Sequence, residues 1–178
     1  MNTTANKITI ARIILIPILM LLLYLGHIYW ALTVYIIACL SDFADGYIAR
    51  NYNQVTDFGK FVDPLADKML LLATMCYLVE VKLMPGWLVA VVLLREFAVS
   101  GLRLLAIEQG KVIAAAWSGK VKTFATMICL GFLIVLQDSW LPFPKLLTVL
   151  CWIVILATTL YSGVEYFINN INVFKHNS

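Results

Sequence analysis

Five aspartates stand in one short segment of the sequence, between long apolar runs. The segment SDFADGYIARNYNQVTDFGKFVDPLADK occupies positions 41–68. Asp42 and Asp45 are three residues apart, and Asp63 and Asp67 are four apart, so on helices each pair shares one face. Carboxylates are costly in or near hydrocarbon and are rarely kept there without a partner or a function. The segment is therefore the first place to look for chemistry.

These four aspartates supply the donor set of a divalent metal site. If the intervening NYNQVT turn brings the two pairs together, the carboxylates repel each other until protonation or a bound cation relieves the repulsion. All-oxygen ligands select Mg²⁺ or Mn²⁺ over zinc, and the segment contains neither His nor Cys. We therefore expect one or two such ions, the arrangement that clamps both oxygens of a displacement at phosphorus.

Two glycines fall on the same helical faces as the aspartates. Gly46 and Gly59 lack side chains and allow a bulky ligand to approach the backbone. Their alternative role is helix packing, which is common for glycine in membrane bundles. For the aspartates the alternative is solvated loop charge, and Asp57, which lies off both faces, is interpreted as a cap of the third helix.

Apolar helices must position these residues. Of the 178 residues, 62% are hydrophobic and 13% charged, whereas about a quarter are charged in a typical soluble domain. The composition thus predicts an all-α integral membrane protein, with residues 1–178 forming one six-helix catalytic domain. Six runs approach the roughly 20 residues that one crossing requires. The predicted transmembrane spans are Ile8–Leu25, Ile28–Ile48, Phe61–Glu80, Gly86–Ile107, Val121–Leu136 and Leu146–Ile168.

The basic residues predict the orientation. With the amino terminus in the cytoplasm, 11 of the 13 Lys and Arg residues lie on the cytoplasmic side, and only Lys82 and Lys145 lie outside. Both termini and the aspartate segment are therefore expected to face the cytoplasm. The first span lacks a small-residue cleavage site and is interpreted as retained. We expect a multi-pass protein of a bacterial plasma membrane.

The aspartates also form part of a longer pattern. DFADGYIAR at 42–50, followed after eight residues by GKFVDPLAD at 59–67, resembles the signature of the CDP-alcohol phosphotransferases, with all eight fixed positions present. The resemblance implies a six-helix membrane enzyme, commonly a homodimer, that transfers a phosphoalcohol group from a CDP-linked donor and releases CMP.

The resemblance implies roles for single residues. Asp42, Asp45 and Asp63 resemble the metal ligands of that family, with Asp67 beside the metals as a further ligand and as the general base. The positions that resemble its CDP-binding residues are Asp45, Gly46, Ala49, Arg50 and Gly59. A pyrophosphate donor needs its charge neutralised, which metal and arginine achieve. The sequence shows no Ser–His pair as a nucleophile, so direct attack by the alcohol is the simpler mechanism.

A second set of charged residues lies in the fourth and fifth apolar segments. Arg95 and Arg103 fall on the same half of a helix, about 80° apart. A purely structural alternative is a buried ion pair with Glu96. Lys120 and Lys122 follow in SGKVKT, and for them and Arg103 the alternative is topology or head-group anchoring. Several cations indicate an anionic acceptor, for which a phosphate monoester fits the forked donors of arginine.

REFAVSGLR and GKVKT resemble the phosphatidylglycerophosphate-forming branch of the family, whose acceptor is sn-glycerol 3-phosphate. NKITIAR at 6–12 is similar to that branch's opening N-x-x-T-x-x-R, with Ala5 in place of the usual proline. The resemblance implies that Thr9 helps to bind the donor phosphates. It also implies that the acceptor phosphate is bound by Arg95, Arg103, Lys120 and Lys122. The implied reaction transfers the phosphatidyl group of CDP-diacylglycerol to sn-glycerol 3-phosphate, giving phosphatidylglycerophosphate and CMP.

Two alternatives remain at this point. The first alternative is a member of the same family with a different acceptor, namely inositol phosphate, serine or phosphatidylglycerol. The second is a protein of a different class, a cation transporter in which the aspartates form the ion site. Transporters often distribute such sites over broken helices in two symmetric halves, whereas here all four carboxylates lie in one segment that nothing repeats.

Overall fold

A computed structural model describes residues 4–51, 57–109, 116–138 and 143–171, and within them the side chains of all except 4–9, 42–51, 57–64 and 67. The described residues form helices and connections and include no β-strand. The α-helices are α1 (Thr4–Tyr24), α2 (Ile28–Asn51), α3 (Asp57–Glu80), α4 (Gly86–Glu108), α5 (Trp117–Val135) and α6 (Pro144–Asn169). One 3₁₀ turn, Leu136–Asp138, follows α5. The predicted all-α, six-helix fold is confirmed.

The ends of α1 and α3 have the same hydrogen-bonded geometry. After α1, the amide of His27 donates to the carbonyl of Leu22 at 2.9 Å, and Gly26 adopts a left-handed φ of 76°. After α3, the amide of Leu83 donates to Leu78 at 2.9 Å, with Lys82 at φ 61°. This arrangement satisfies carbonyls that the helix leaves unpaired, and glycine adopts it without steric cost. Short connections follow and return the chain to α2 and α4.

The first of two compact units comprises residues 1–83 and 130–142. Within it α1 packs against both α2 and α3. Leu19 and Leu23 of α1, Ala31 and Tyr35 of α2 and Leu78 of α3 are at most 2% exposed. Leucines spaced four apart on α1 form one buried face, as expected for a helix that packs on one side.

The second unit comprises residues 84–129 and 143–178. Here α4 packs against α6. Val99, Leu102 and Ala106 of α4 form a buried cluster with Tyr166 of α6, and Phe167 packs against its edge. The apolar spacing of three and four residues along α4 is what brings these side chains onto one face.

Large apolar side chains cover much of the outer surface. Leu94, Phe97 and Leu104 of α4 are between 68% and 73% exposed, and Trp30 of α2 is 69% exposed. Soluble monomers rarely expose apolar patches of this kind. By length and composition, two helical segments of the described chain, Trp117–Asp138 and Pro144–Asn169, are able to cross a membrane. Surface and helices together indicate a membrane protein.

Candidate functional site

Helices α2 and α3 carry the aspartate pattern. The backbone of α2 is helical through Asn51, so Asp42 and Asp45 stand one turn apart. Helix α3 begins at Asp57, so Asp63 and Asp67 occupy successive turns. The predicted helical spacing is therefore confirmed. For the other predicted donor-binding residues, the structure likewise describes only a helical backbone. These residues are Thr9 in α1, Gly46, Ala49 and Arg50 in α2, and Gly59 in α3.

The four aspartate side chains also lie outside the described ones, so their convergence on a metal ion stays a prediction. Among the side chains that are described, no group of three or more His, Cys, Asp or Glu residues is arranged to hold a metal. The backbone register fits the expectation, because each helix continues through its pair of aspartate positions, which lie one turn apart. Such a set of hard oxygen donors suits Mg²⁺ or Mn²⁺.

A cluster of opposite charges joins α4 and α5 in the second unit. Lys122 Nζ lies 2.6 Å from Glu96 Oε1, and Arg95 Nη1 lies 3.0 Å from the same oxygen. The side chain of Lys122 is 2% exposed, that of Arg95 12% and that of Glu96 22%. Removing charges from water is costly unless they are paired, and here two cations share one carboxylate. In the Arg95–Glu96–Lys122 cluster, two cations therefore bind the same carboxylate oxygen.

Glycines on two helices leave space for the Arg95 side chain. A Cβ atom added to Gly163 of α6 would lie 3.2 Å from Arg95 Cγ, and one added to Gly119 of α5 would lie 3.6 Å from Arg95 Nη2. A side chain at either glycine would thus meet Arg95, at its aliphatic stem from α6 and at its guanidinium group from α5. Arg95 Nε is buried and has no hydrogen-bond partner among the described residues. The arginine therefore keeps a donor available in a desolvated position.

The four predicted acceptor-binding cations divide into two pairs. Arg95 and Lys122 are brought together at Glu96, which confirms the ion pair considered above and extends it to a second cation. Arg103 and Lys120 are exposed. Lys120 Nζ lies 5.8 Å from the ring centroid of Trp117, in cation–π range. The distribution of basic residues along the chain predicted that the four share the cytoplasmic side of the membrane. Their burial differs, since Lys122 is buried, Arg95 is partly buried, and Arg103 and Lys120 are exposed.

A small cavity of about 160 Å³ lies between α5 and α6 within the second unit. It is lined by Trp117, Ser118, Val121, Thr158, Tyr161 and Glu165. Ser118 Oγ and Glu165 Oε2 are buried there without a hydrogen-bond partner among the described residues. Glu165 belongs to α6 and lines this cavity together with Trp117, Ser118 and Val121 of α5.

One buried cation was not among the predicted site residues. Arg12 of α1 is 1% exposed and is among the largest fully buried side chains of the described chain. From the sequence, Arg12 was expected to contribute only to topology and to the opening motif. The signal that identified Arg95, an arginine within an apolar run, is present at Arg12 as well: IARIILI.

Comparison with known proteins places this geometry in a family. The model of the CDP-alcohol phosphatidyltransferase family matches residues 2–161, which include the aspartate pattern and the Arg95–Glu96–Lys122 cluster. A CDP-diacylglycerol–glycerol-3-phosphate 3-phosphatidyltransferase of Bacillus subtilis is 41% identical, covering 96% of this chain and 96% of that protein. Proteins of the same name from Salmonella choleraesuis and Escherichia coli K12 are 35% and 34% identical, each covering 89% of this chain and 90% of its own length. The chain belongs to the CDP-alcohol phosphatidyltransferase family.

Proposed function

We propose that the protein transfers the phosphatidyl group of CDP-diacylglycerol to sn-glycerol 3-phosphate, forming phosphatidylglycerophosphate and CMP. The names of the three bacterial relatives support the donor and the acceptor, and the alignments extend over most of each chain. The resemblance of REFAVSGLR and GKVKT to the phosphatidylglycerophosphate-forming branch supports the same acceptor.

One structural observation carries the choice of acceptor: the buried Arg95–Glu96–Lys122 cluster has two cations for one carboxylate. Two cations side by side in a largely buried position favour an anion as their ligand. A phosphate monoester fits, because the guanidinium group presents forked donors and the ammonium group adds a point charge. An acceptor such as serine offers these two cations no phosphate group. The exposed Arg103 and Lys120 have the weaker role of attracting the anion from solution.

The donor is assigned to the helical signature of α1, α2 and α3. Thr9, Gly46, Ala49, Arg50 and Gly59 bind the CDP group, with Asp45 contributing to both donor and metal. One or two Mg²⁺ or Mn²⁺ ions, which Asp42, Asp45, Asp63 and Asp67 would hold, supply neutralisation of pyrophosphate charge. Backbone spacing and hard-oxygen chemistry support this assignment.

The residues of the chain then share one displacement at phosphorus. Asp67 accepts the proton of the acceptor's hydroxyl group, and that oxygen forms a bond to the phosphatidyl phosphorus. The bond from this phosphorus to the bridging oxygen of the donor breaks, and CMP leaves with the electron pair. Arg95 and Lys122 hold the acceptor's own phosphate and so orient its hydroxyl group.

The substrates also suggest the location. A lipid donor and a water-soluble acceptor meet where acidic helices enter a bilayer from the cytoplasm. We place the protein in a bacterial inner membrane, with six spans, residues 1–178 as one catalytic domain, cytoplasmic termini and a homodimeric state. The exposed apolar surface supports insertion in a membrane.

The test is a transfer assay in mixed micelles with CDP-diacylglycerol, labelled sn-glycerol 3-phosphate and Mg²⁺. The wild-type protein should move label into lipid, and a chelator should abolish transfer. Asp67→Ala should lower the rate by about 10²- to 10⁴-fold, the usual contribution of a general base. Asp138→Ala, at an exposed aspartate in the 3₁₀ turn, is the matched control and should behave as wild type.

Other outcomes would separate the alternatives. CMP release with inositol phosphate, serine or phosphatidylglycerol, but not with sn-glycerol 3-phosphate, would preserve the family reaction and overturn the acceptor. If folded wild-type protein released no CMP with any acceptor, the transferase proposal would fail, and cation flux into vesicles would be measured instead.

A further inference from the structure

Two glycines stand beside the Arg95 side chain. A Cβ added at Gly163 of α6 would be 3.2 Å from Cγ of its stem, and one added at Gly119 of α5 would be 3.6 Å from Nη2 of its guanidinium group. A carbon–carbon separation of 3.2 Å is shorter than the 3.5–4.0 Å optimum for non-bonded carbon atoms. An alanine at position 163 would therefore push against the middle of the Arg95 stem.

The stem has little freedom to yield. Arg95 is held at its far end by Glu96 Oε1 at 3.0 Å, and its side chain is only 12% exposed. Displacing Cγ by a few tenths of an ångström must move the guanidinium group or lengthen the bond to Glu96. Glu96 also binds Lys122 at 2.6 Å, so the disturbance reaches the second buried cation.

We propose that Gly163 is a positioning residue for acceptor binding: its missing side chain lets Arg95 lie against α6 and point its guanidinium group toward the acceptor's phosphate. The proposal rests on the proposed function, because it assigns that phosphate to Arg95 and Lys122. Gly163 itself contacts no substrate. It acts through Arg95, and it makes recognition of a phosphate-bearing acceptor depend on one backbone position of α6.

Gly101 offers a matched control. It is a glycine inside α4, the same helix as Arg95, and an added Cβ there would meet nothing within 4 Å. Alanine at either position gains the same helix propensity over glycine. Only the alanine at position 163 would contact Arg95.

The experiment measures KM for sn-glycerol 3-phosphate, KM for CDP-diacylglycerol, kcat and the thermal midpoint for Gly163→Ala and Gly101→Ala. Gly163→Ala should raise the acceptor KM about tenfold, because sub-ångström misplacement of a binding group is costly, with a smaller change in kcat and none in the donor KM. Gly101→Ala should match wild type. Equal acceptor KM values for the two variants would overturn the proposal.

A double-mutant cycle separates positioning from general damage to α6. In an Arg95→Ala background the stem is gone, so Gly163→Ala should have no further effect on acceptor KM, whereas additive effects would refute action through Arg95. If Arg95→Ala does not fold, Gly163→Ser replaces it: acceptor KM should rise beyond that of Gly163→Ala, while Gly101→Ser stays at the wild-type value.

Failure of the proposed function would show itself separately. If the wild-type protein forms no phosphatidylglycerophosphate, the same variants are compared by the rise in thermal midpoint that sn-glycerol 3-phosphate produces. A rise in wild type that Gly163→Ala reduces and Gly101→Ala retains would support the positioning role alone. No rise in wild type would reject both the anion site and Gly163's part in it.

Discussion

Each compact unit contains a polar cluster, and the two clusters are built from opposite chemistry. In the first unit, the hydroxyl group of Tyr77 lies within hydrogen-bonding distance of two acceptors, Gln137 Oε1 at 2.8 Å and the carbonyl oxygen of Leu23 at 3.1 Å. Tyr24 donates to Glu80 Oε2, and the two tyrosine rings meet edge to face at 5.4 Å. The hydrogen-bonding groups of this cluster are mostly neutral, and its charged residue, Glu80, is exposed to solvent.

The Arg95–Glu96–Lys122 cluster of the second unit is different, because its members are ionised and two cations share one carboxylate. Neutral hydrogen bonds contribute modest stability, whereas removing ionised groups from water is costly. The comparison teaches that a membrane helix bundle uses polar residues for two purposes. The polar groups are mostly neutral in the cluster assigned to structure and ionised in the cluster proposed to bind an anion.

The largest effect is expected from Lys122→Met. This change removes the most buried cation of the cluster. Truncating one partner of a buried charge pair typically costs about 2–5 kcal/mol, so acceptor KM should rise about 100-fold while donor KM changes little. Lys145→Met, at an exposed lysine of α6, is the control. An unchanged acceptor KM in Lys122→Met would mean that the Arg95–Glu96–Lys122 cluster has a structural role, like the tyrosine cluster of the first unit.

The second largest effect is expected from Tyr77→Phe, and it concerns the stability of the fold. Tyr77→Phe removes the hydroxyl group that joins α3 to Gln137, while Tyr77 itself is 5% exposed. We expect the free energy of unfolding to fall by about 1 kcal/mol, the usual net value of one hydrogen bond. Unfolding in denaturant measures it, and acceptor KM should stay unchanged. A large rise in acceptor KM would contradict the structural role of this cluster.

A smaller effect is expected from the exposed cations. Arg103→Ala and Lys120→Ala remove charges that solvent screens, so acceptor KM should rise by only about threefold or less. The rise should shrink further as salt is added, because exposed charges are screened over about 10 Å at 0.1 M salt. An effect as large as that of Lys122→Met, insensitive to salt, would show that all four cations bind the phosphate directly.

The smallest effect is expected from Tyr24→Phe. Its hydroxyl group reaches Glu80 at 2.5 Å, but Tyr24 is 58% exposed and water can replace that partner. Neither the thermal midpoint nor kinetic constants should change measurably. A loss of stability comparable to that of Tyr77→Phe would show that the exposed hydrogen bond contributes as much as the buried one.

The positions of the helices were easier to predict from the sequence than the packing of one helix against another. Apolar runs gave α4 as Gly86–Ile107, against the observed Gly86–Glu108. Helix α5 was predicted to cross the membrane from Val121, yet the helix begins at Trp117, because Ser118 and Lys120 lower the local hydropathy without ending a helix. Hydropathy reports where apolar residues are, and a helix continues beyond them as long as nothing breaks its backbone.

The candidate site was predictable where one helix determines it. The spacing of Asp42 and Asp45 is local, and α2 confirms it. The pair formed by Arg95 and Glu96 joins neighbours in sequence and was considered beforehand. The addition of Lys122 depends on how α4 and α5 pack, which no local pattern encodes. The role of Gly163 was hidden for the same reason, since a glycine shows what it accommodates only when the neighbouring helix is in place.

Gly101 of α4 and Gly163 of α6 also determine how this protein would respond to stabilising substitutions. Replacing glycine by alanine inside helices is a common route to more stable proteins, worth about 0.4–1 kcal/mol at a compatible position. Position 101 meets that condition, and position 163 does not, because Arg95 occupies the space. Selection for heat resistance alone would therefore accept alanine at position 101. Selection for growth that depends on the enzyme's activity would keep position 163 as glycine. A stabilised variant for crystallisation should begin with the former.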